Sequence, residues 1–259
     1  MDASRTDAYL RRIATPRPAA PTAQALRTLH LAHQRAVPFE NLSIHLGEDI
    51  SIDEEAIVAK LVDRHRGGFC YELNGGFAAL LTALGFEVSL LQARVYGKEG
   101  HLGIPYDHLA LRVRTVDGAD LLADVGFGAH SHFPLDLGER GEQRDPGGVF
   151  RIAETKEGDL RVSKDGAPEY LLEQRPRELR DFEVGCWYNC TSPQSTFTRS
   201  LVCSLVMDEG RLTLSGRTLK TTVGGERHST ELTSDREVLD TYRESFGIEL
   251  DRVPADPTA

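Results

Sequence analysis

The hydrophobic pattern changes its period near Gly85, and this change constrains the fold more than any other feature. Before it, apolar residues recur at three- and four-residue spacing in residues 22–36 and 53–65, which is typical of amphipathic helices. A third helix is predicted to begin near Cys70 and to run to Leu84. After Gly85 the pattern has period two and short apolar runs, which indicate strands. Helices followed by strands predict the α+β class.

The second part of the chain is predicted to consist mainly of antiparallel strands. Strand patterns occur at residues 87–97, 107–116, 120–128, 150–166, 169–174, 201–223 and 226–232. Asp117–Gly118 and Glu157–Gly158 are turn signals between neighbouring strands. Two more helices are predicted, over residues 178–191 and after a capping box at Ser234–Glu237. This density of strands favours a barrel or a sandwich, and without a flexible linker the parts should pack as one body.

Composition narrows the function classes. The 259 residues include 30 basic and 40 acidic ones, giving a net charge of -10, which argues against non-specific nucleic-acid binding. No apolar run approaches the ~20 residues that a membrane crossing needs, so no membrane partner is expected. The N-terminal residues show no signal-peptide pattern, so we expect a cytoplasmic protein. A homo-oligomer remains an open alternative.

The four cysteines, Cys70, Cys186, Cys190 and Cys203, are expected to be reduced, as is usual in a cytosolic chain of this size. Cys186 and Cys190 stand four residues apart and would share one helix face. A structural zinc site needs about four ligands, and no histidine nearby completes such a set. We therefore expect no metal, and we interpret the last three cysteines as small apolar side chains.

Residues 66–77 (RGGFCYELNGGF) contain the first candidate for chemistry. Gly67 and Gly68 allow a tight turn, and Cys70 follows at or near the first turn of a helix. The unpaired N–H groups and the dipole at a helix start favour a thiolate, the reactive form of cysteine. Gly75–Gly76 inside the same helix costs roughly 1 kcal/mol per glycine relative to alanine. This cost indicates that another group approaches the helix closely there.

A nucleophilic cysteine needs a base, and the base needs an orienting group. His108 begins one predicted strand, and Asp124 stands near the end of the next strand. Because the turn at Asp117–Gly118 makes the two strands antiparallel neighbours, a hydrogen bond between His108 and Asp124 is feasible. Asp107 is the alternative orienting group, but adjacent strand residues point to opposite faces, so Asp124 is preferred.

These motifs resemble the arylamine N-acetyltransferases. The resemblance rests on RGGFC followed by E-x-N, on DHLALRV and on DVGFG, with support from residues 37–42 and 192–197. It covers almost the whole chain in the same order. It implies a helical bundle over residues 1–85, an antiparallel β-barrel over 86–192 and a C-terminal α/β lid over 193–259, with a core like that of cysteine proteases and transglutaminases.

The resemblance also implies an activity and a set of site residues. It implies a Cys70, His108 and Asp124 triad, no permanently bound cofactor, and acetyl-coenzyme A as co-substrate in a ping-pong transfer to an arylamine, hydrazine or N-hydroxyarylamine. Phe39 would line the acyl pocket and Phe197 the acceptor side of the cleft. Gly126, Phe127 and Gly128 would lie at the coenzyme, with the glycine N–H groups near its phosphates. Glu40 and Arg66 are predicted to form a structural ion pair.

Three alternatives remain open. An amide synthase that closes a polyketide ring on Cys70 would use the same triad with a wider cleft. A cysteine protease or transglutaminase-like hydrolase has the same chain order of Cys, His and Asp. A catalytically silent binding module is the third alternative, because residues that match a triad in sequence need not meet in space.

Overall fold

The computed structural model describes residues 1–97 and 100–258. Its N-terminal part is helical, with one short strand. The elements in chain order are α1 (Ala3–Arg12), α2 (Ala23–Ala36), β1 (Phe39–Glu40), α3 (Leu42–Leu46), α4 (Glu54–Val58), a π-helical turn (Ala59–Asp63) and α5 (Cys70–Ala83). The predicted helices at 22–36 and from Cys70 onward are confirmed. The predicted helix at 53–65 consists of α4 and the π-helical turn, with Asp53 as its N-cap.

The two glycines inside α5 lie where α1 and the turn after α4 cross it. A Cβ on Gly76 would stand 2.6 Å from Leu61 Cδ1 and 3.0 Å from the Tyr9 hydroxyl. A Cβ on Gly75 would stand 3.1 Å from Ile57 Cδ1. The predicted close approach is therefore confirmed, and it lets α5 run through the centre of the helical core.

An eight-stranded antiparallel sheet follows, and it curls into a nearly closed barrel. Its strands are β2 (Glu87–Val95), β3 (His108–Arg114), β4 (Asp120–Ala123), β5 (Leu135–Asp136), β6 (Gln143–Asp145), β7 (Gly148–Glu154), β8 (Leu160–Lys164) and β9 (Ala167–Arg177). Their order is β5-β4-β3-β2-β9-β8-β7-β6. The Gln143 side chain on one edge donates to the Asp136 carbonyl at 2.9 Å and accepts from the Asp136 amide at 2.7 Å on the other edge.

Strand β4 is shorter than the sequence predicts. The strand pattern at 120–128 continues in the structure only to Ala123, opposite Leu111. Beyond that point the backbone amides bond to side chains instead of to β3. The Asp124 amide donates to His30 at 3.1 Å, and the Val125 amide donates to Asn74 at 2.9 Å. These bonds to α2 and α5 end the strand and direct the loop toward the start of α5.

The C-terminal part forms a second antiparallel sheet. After a 3-10 turn (Leu179–Phe182) come α6 (Glu183–Thr191), α7 (Thr196–Arg199), β10 (Val202–Met207), β11 (Gly210–Ser215), β12 (Thr218–Val223), β13 (Glu226–Glu231) and α8 (Asp235–Phe246). The predicted capping box at Ser234 and Glu237 opens α8. The sheet order is β1-β10-β11-β12-β13, so the N-terminal strand β1 forms one edge of a sheet made otherwise of C-terminal residues.

The buried side chains form three cores. One fills the helical part and includes the outward face of β3, one fills the barrel, and one lies between the C-terminal sheet and α8. Leu42 and Leu46 of α3 belong to the third core. The α+β class with a bundle, a barrel and a C-terminal α/β part is confirmed, while the boundaries at residues 85 and 192 stay a prediction.

Candidate active site

Cys70 is the first residue of α5, and the glycines before it allow another segment to approach. A Cβ on Gly67 would lie 1.9 Å from the Pro38 carbonyl oxygen, so only glycine fits at that position. The Gly68 amide donates to the same carbonyl at 3.3 Å, and the Gly68 carbonyl accepts from Glu40 at 2.8 Å. The turn that precedes the cysteine is thereby fixed to the segment containing β1.

The start of α5 is also fixed from within the helical part. Glu72 accepts from the Phe69 amide at 3.2 Å and from Lys60 Nζ at 2.5 Å. Glu72 and Lys60 are both buried. A buried carboxylate is stable only when it is paired and hydrogen-bonded, and both conditions hold here. The Cys70 backbone therefore has little freedom to move.

His108 and Asp124 meet directly. His108 Nε2 donates to Asp124 Oδ2 at 2.7 Å, and both side chains are buried. The other carboxylate oxygen, Asp124 Oδ1, accepts from the Asn74 side chain at 2.9 Å and from the Gly126 amide at 3.1 Å. The predicted contact between His108 and Asp124 is confirmed. This hydrogen bond lies just beyond Leu111 and Ala123, the last paired residues of β3 and β4 at that end.

Asp107, the alternative orienting group, is directed elsewhere. Its carboxylate accepts from the Val95 amide at 3.4 Å, on the β2 side of the strand. Its backbone carbonyl lies 3.9 Å from the Cys70 sulfur and accepts from the Tyr71 hydroxyl at 3.1 Å. The preference for Asp124 over Asp107 agrees with this geometry.

The Cys70 side chain lies beside the His108 imidazole, and the two side chains influence each other's protonation. Because His108 Nε2 is engaged by Asp124, Nδ1 is the ring nitrogen left for the sulfur. Burial raises the pKa of the Cys70 thiol, and the interactions with His108 and with the Leu109 amide oppose that effect. A helix start favours the thiolate, as predicted from the sequence, whereas the burial of Cys70 in the fold favours the neutral thiol.

The Asp124 carboxylate determines the protonation state of His108. Burial acts to lower the pKa of His108, but the Asp124 carboxylate and the Cys70 side chain outweigh it and raise the pKa to about 10. Burial acts in the opposite direction on Asp124, yet the His108 side chain holds the pKa of that carboxyl well below its usual range. The arrangement therefore favours an imidazolium next to the sulfur.

His30 and His33 are buried residues of helix α2. His30 accepts the Asp124 amide on Nε2 and contacts the His132 carbonyl through Nδ1 at 2.9 Å. Burial lowers the pKa of His30 to about 4, so it is neutral at physiological pH. A neutral histidine can accept one hydrogen bond and donate another, and His30 thereby fixes the backbone of the residue that orients His108.

A hydrogen-bond network next to Cys70 was not anticipated from the sequence. The Tyr71 hydroxyl donates to the Tyr106 carbonyl at 2.8 Å and receives the Asn189 side-chain amide at 3.0 Å. Ser195 donates to the Asn189 side-chain oxygen at 3.0 Å. Tyr106 has a φ of +59°, an uncommon backbone conformation for a residue with a side chain. The network holds this unusual turn two residues before His108.

Cys70 and His108 open onto a cavity of about 1120 Å³. Phe39 and Phe197 line the same cavity, with ring centroids 6.2 Å apart. Phe69 packs behind them, 5.2 Å from the Phe197 ring in an edge-to-face arrangement. A concave pocket that combines aromatic side chains with polar groups in its wall is typical of a small-molecule site.

The loop 126–128 was expected to contact a coenzyme, and its three residues have different surroundings. A Cβ on Gly126 would lie 2.8 Å from Cys70 Cα, and its amide already donates to Asp124. Phe127 lies edge-on to the His108 ring at 5.1 Å and lines the cavity. Gly128, with φ +89°, lies against the Phe39 ring. Because Gly126 has no side chain, the loop can approach Cys70 closely, and the Gly126 N–H donates to Asp124.

A family model described as N-acetyltransferase matches residues 22–254. An arylamine N-acetyltransferase of Mycolicibacterium smegmatis is 37% identical over 253 residues, covering 93% of this chain and 91% of the relative. The chain belongs to the arylamine N-acetyltransferase family. Membership of this family makes it an acyltransferase, and the bundle, barrel and C-terminal sheet described above are the architecture of the family.

Two further members are informative. An arylamine N-acetyltransferase / N-hydroxyarylamine O-acetyltransferase of Salmonella typhimurium is 36% identical over 215 residues, covering 80% of this chain and 75% of the relative. The structure of the Mycobacterium marinum arylamine N-acetyltransferase in complex with CoA superimposes with a TM-score of 0.86 at 32% identity, covering 94% of this chain and 92% of that one.

Neither a metal-binding cluster nor a membrane-spanning helix occurs in the part of the chain that the structure describes. Within residues 1–97 and 100–258, no three or more His, Cys, Asp or Glu side chains are grouped so as to hold a metal ion. None of the helices over the same residues combines the length and the hydropathy that a bilayer crossing requires.

Proposed function

We propose that this chain transfers an acetyl group from acetyl-coenzyme A to an arylamine, an arylhydrazine or an N-hydroxyarylamine, with Cys70 as the nucleophile. The observation that supports this most directly is the buried His108–Asp124 pair beside Cys70 at the wall of an aromatic-lined cavity. A nucleophile, a base and an orienting carboxylate in this order form the arrangement that acyl transfer needs.

In the first half-reaction the Cys70 sulfur attacks the thioester carbonyl. The new bond joins Cys70 Sγ to the acetyl carbon, and the bond from that carbon to the coenzyme sulfur breaks. In the reactive state the proton of the Cys70 thiol resides on His108, where the Asp124 charge stabilises the imidazolium and opposes the burial that favours the neutral thiol. The departing coenzyme thiolate takes this proton, so coenzyme A leaves as a thiol and His108 becomes a neutral base.

In the second half-reaction the acceptor amine attacks the acetyl-Cys70 thioester. The nitrogen–carbon bond forms, the carbon–sulfur bond to Cys70 breaks, and His108 takes the proton that the amine loses. This restores the thiolate and the imidazolium. The two-step order suits a weakly basic aromatic amine, because its attack is directed at an activated thioester that is already formed.

Four residues of the cavity wall are assigned to the two substrates. Phe39 and Phe197 both line the cavity that Cys70 opens onto. We assign Phe39 to the acetyl group and Phe197 to the aromatic acceptor. Arg94 and Arg199 line the same cavity and supply positive charge for the coenzyme phosphates. The Mycobacterium marinum relative in complex with CoA supports the choice of donor, and the name of the Salmonella relative supports N-hydroxyarylamines among the acceptors.

The experiment is the intact-protein mass after mixing with acetyl-coenzyme A. We expect the gain of one acetyl group, its absence in Cys70→Ala, and its loss when an arylamine is added. Cys190→Ala is the matched control, since it removes a different thiol and should still gain the acetyl group. A parent protein that gains no acetyl group, or a Cys70→Ala protein that gains one, contradicts the proposal. Turnover without a mass gain would favour direct transfer or one of the alternative enzymes.

A further inference from the structure

Helix α6 has a pair of thiols outside the site described above. Cys186 and Cys190 stand one turn apart, with sulfur atoms 4.0 Å from each other. Neither residue lines the cavity that contains Cys70. Their interpretation as small apolar side chains fits Cys186, which is 5% exposed, whereas Cys190 is partly exposed.

Both thiols line a second cavity, of about 1000 Å³, between residues 47–54 and residues 178–191. No residue within 1–97 and 100–258 lines both cavities. Trp187, which is 67% exposed, lines the second cavity between the two cysteines in sequence. A small molecule that enters from solvent can therefore reach both sulfur atoms without passing Cys70.

The geometry of the pair disfavours a disulfide. Cβ atoms four residues apart on a helix lie about 5–6 Å apart, whereas a disulfide needs about 3.5–4.5 Å. Closing the bond would therefore distort α6. An atom that binds both sulfurs requires less distortion, because it bridges them at a greater separation than the direct S–S bond of about 2.0 Å. The observed separation of 4.0 Å therefore closes onto a bridging atom with a smaller shift than a disulfide would require.

The charges around the cavity select for an uncharged ligand. Six acidic residues line it: Glu48, Asp49, Asp53, Glu54, Glu178 and Glu183. Among the described residues that line it, only Arg180 is basic. Anionic thiol reagents, such as oxidised glutathione or coenzyme A disulfide, are repelled by this surface. A neutral molecule with an aryl group encounters no such barrier and finds the exposed Trp187 ring to pack against.

We propose that Cys186 and Cys190 form a dithiol site for a trivalent organoarsenical, of which an aryl arsenoxide is the simplest probe. Two arsenic–sulfur bonds form, and the arsenoxide oxygen leaves as water with the two thiol protons. No oxidant or reductant is needed. The hydrogen bond between the thiols lowers the pKa of Cys190 and raises the pKa of Cys186, so the more accessible sulfur attacks first and Cys186 closes the ring.

The test uses Trp187, which is the single tryptophan of the chain and therefore an unambiguous reporter. Cys70→Ala protein is titrated with phenylarsine oxide while tryptophan fluorescence is recorded. We expect saturable quenching at one arsenical per chain, a mass gain of one arsenical minus one water, and reversal by an excess of a small dithiol but not of a monothiol. Cys203 is buried and stays in the protein as an internal control.

Cys190→Ser in the same background should weaken binding by about a hundredfold or more, because the second bond is then no longer formed within one molecule. Cys186→Ser should have the same effect, and Cys190→Ala repeats the test if either serine variant fails to fold. Unchanged affinity in the folded Cys190 variants would overturn the proposal. So would the absence of quenching and mass gain in the Cys70→Ala protein that keeps both thiols.

Discussion

The Tyr71 hydroxyl donates to the Tyr106 carbonyl at 2.8 Å, so the residue after the candidate nucleophile holds the turn that leads into His108. Tyr106 has a left-handed backbone conformation, which costs of order 1–3 kcal/mol and persists only where the surroundings enforce it. Here the hydrogen bonds of Tyr71 and Asn189 hold Tyr106 in this conformation. The relative positions of Cys70 and His108 therefore depend on a side chain that takes no part in the chemistry.

Tyr71→Phe tests this dependence. We expect it to lower the free energy of unfolding by about 1 kcal/mol and kcat by about tenfold, because His108 is no longer held at its distance from Cys70. KM for acetyl-coenzyme A should change little. Tyr9→Phe is the matched control, since Tyr9 is equally buried and its hydroxyl contacts His33 at 3.0 Å, away from the triad. Equal kcat losses in the two variants would contradict the positioning role.

Asp124→Asn should leave the site assembled but remove the charge that holds the proton on His108. We expect kcat to fall by about two to four orders of magnitude. The Cys70-dependent ultraviolet absorbance of the thiolate, measured as the difference from Cys70→Ala, should fall with it. Asp107→Asn should keep most of that absorbance, because the Asp107 carboxylate accepts from the Val95 amide rather than from His108. A thiolate signal that survives in Asp124→Asn would refute this assignment.

The pH dependence of stability follows from the same pair. The folded-state pKa of His108 is raised to about 10, above its ordinary value of 6.5, so the folded state binds this proton more tightly than the unfolded state. The resulting stabilisation is fully present below pH 6.5 and is lost as pH rises toward 10. Its slope reaches at most about 1.4 kcal/mol per pH unit. Urea unfolding at several pH values should show this decline in the parent and a shallower one in Asp124→Asn; parallel curves would exclude it.

Arg66 should matter for stability more than for chemistry. It contacts Glu40 and Glu48 at 3.1 Å each, and Glu40 is fully buried. Arg66→Ala leaves the Glu40 carboxylate without its cation, which costs about 3–5 kcal/mol. The protein that remains folded should keep most of its turnover per titrated active site. The double variant Arg66→Met, Glu40→Gln should recover part of the loss in melting temperature, and a melting temperature equal to that of the parent in Arg66→Ala would disprove this role.

Local sequence patterns predict much of this molecule. The glycines before Cys70, the helix after it, and the turn at Asp117–Gly118 are short-range signals, and they place Cys70 and His108 on the elements where the structure has them. Asp124 is predicted within a strand and lies one residue beyond the end of β4. The ion pair between Glu40 and Arg66 is predicted correctly as well. Each of these depends on residues close in sequence or on a resemblance carried by whole motifs.

Contacts between distant segments are not encoded in such patterns. Nothing in the sequence links Tyr71 to Asn189, which lie 118 residues apart, or Asp124 to His30, which lie 94 residues apart. These contacts arise when three packed parts meet at one point. They also explain why β4 ends at Ala123 while the alternating pattern continues, because side chains from α2 and α5 take the amides that the strand would otherwise use.

The two-residue strand β1 has a consequence for recombining this protein with its relatives. Phe39 and Glu40 pair with Ser204 and Cys203 at the edge of the C-terminal sheet, while Phe39 also bridges to Gly68. A chimera with a single crossover between β1 and β10 would combine β1 of one parent with β10 of the other parent, although the two strands pair with each other. Exchanging the C-terminal sheet requires the exchange of two separate segments, residues 37–48 and the sheet itself, because the boundary between interchangeable parts follows spatial contacts and not chain order.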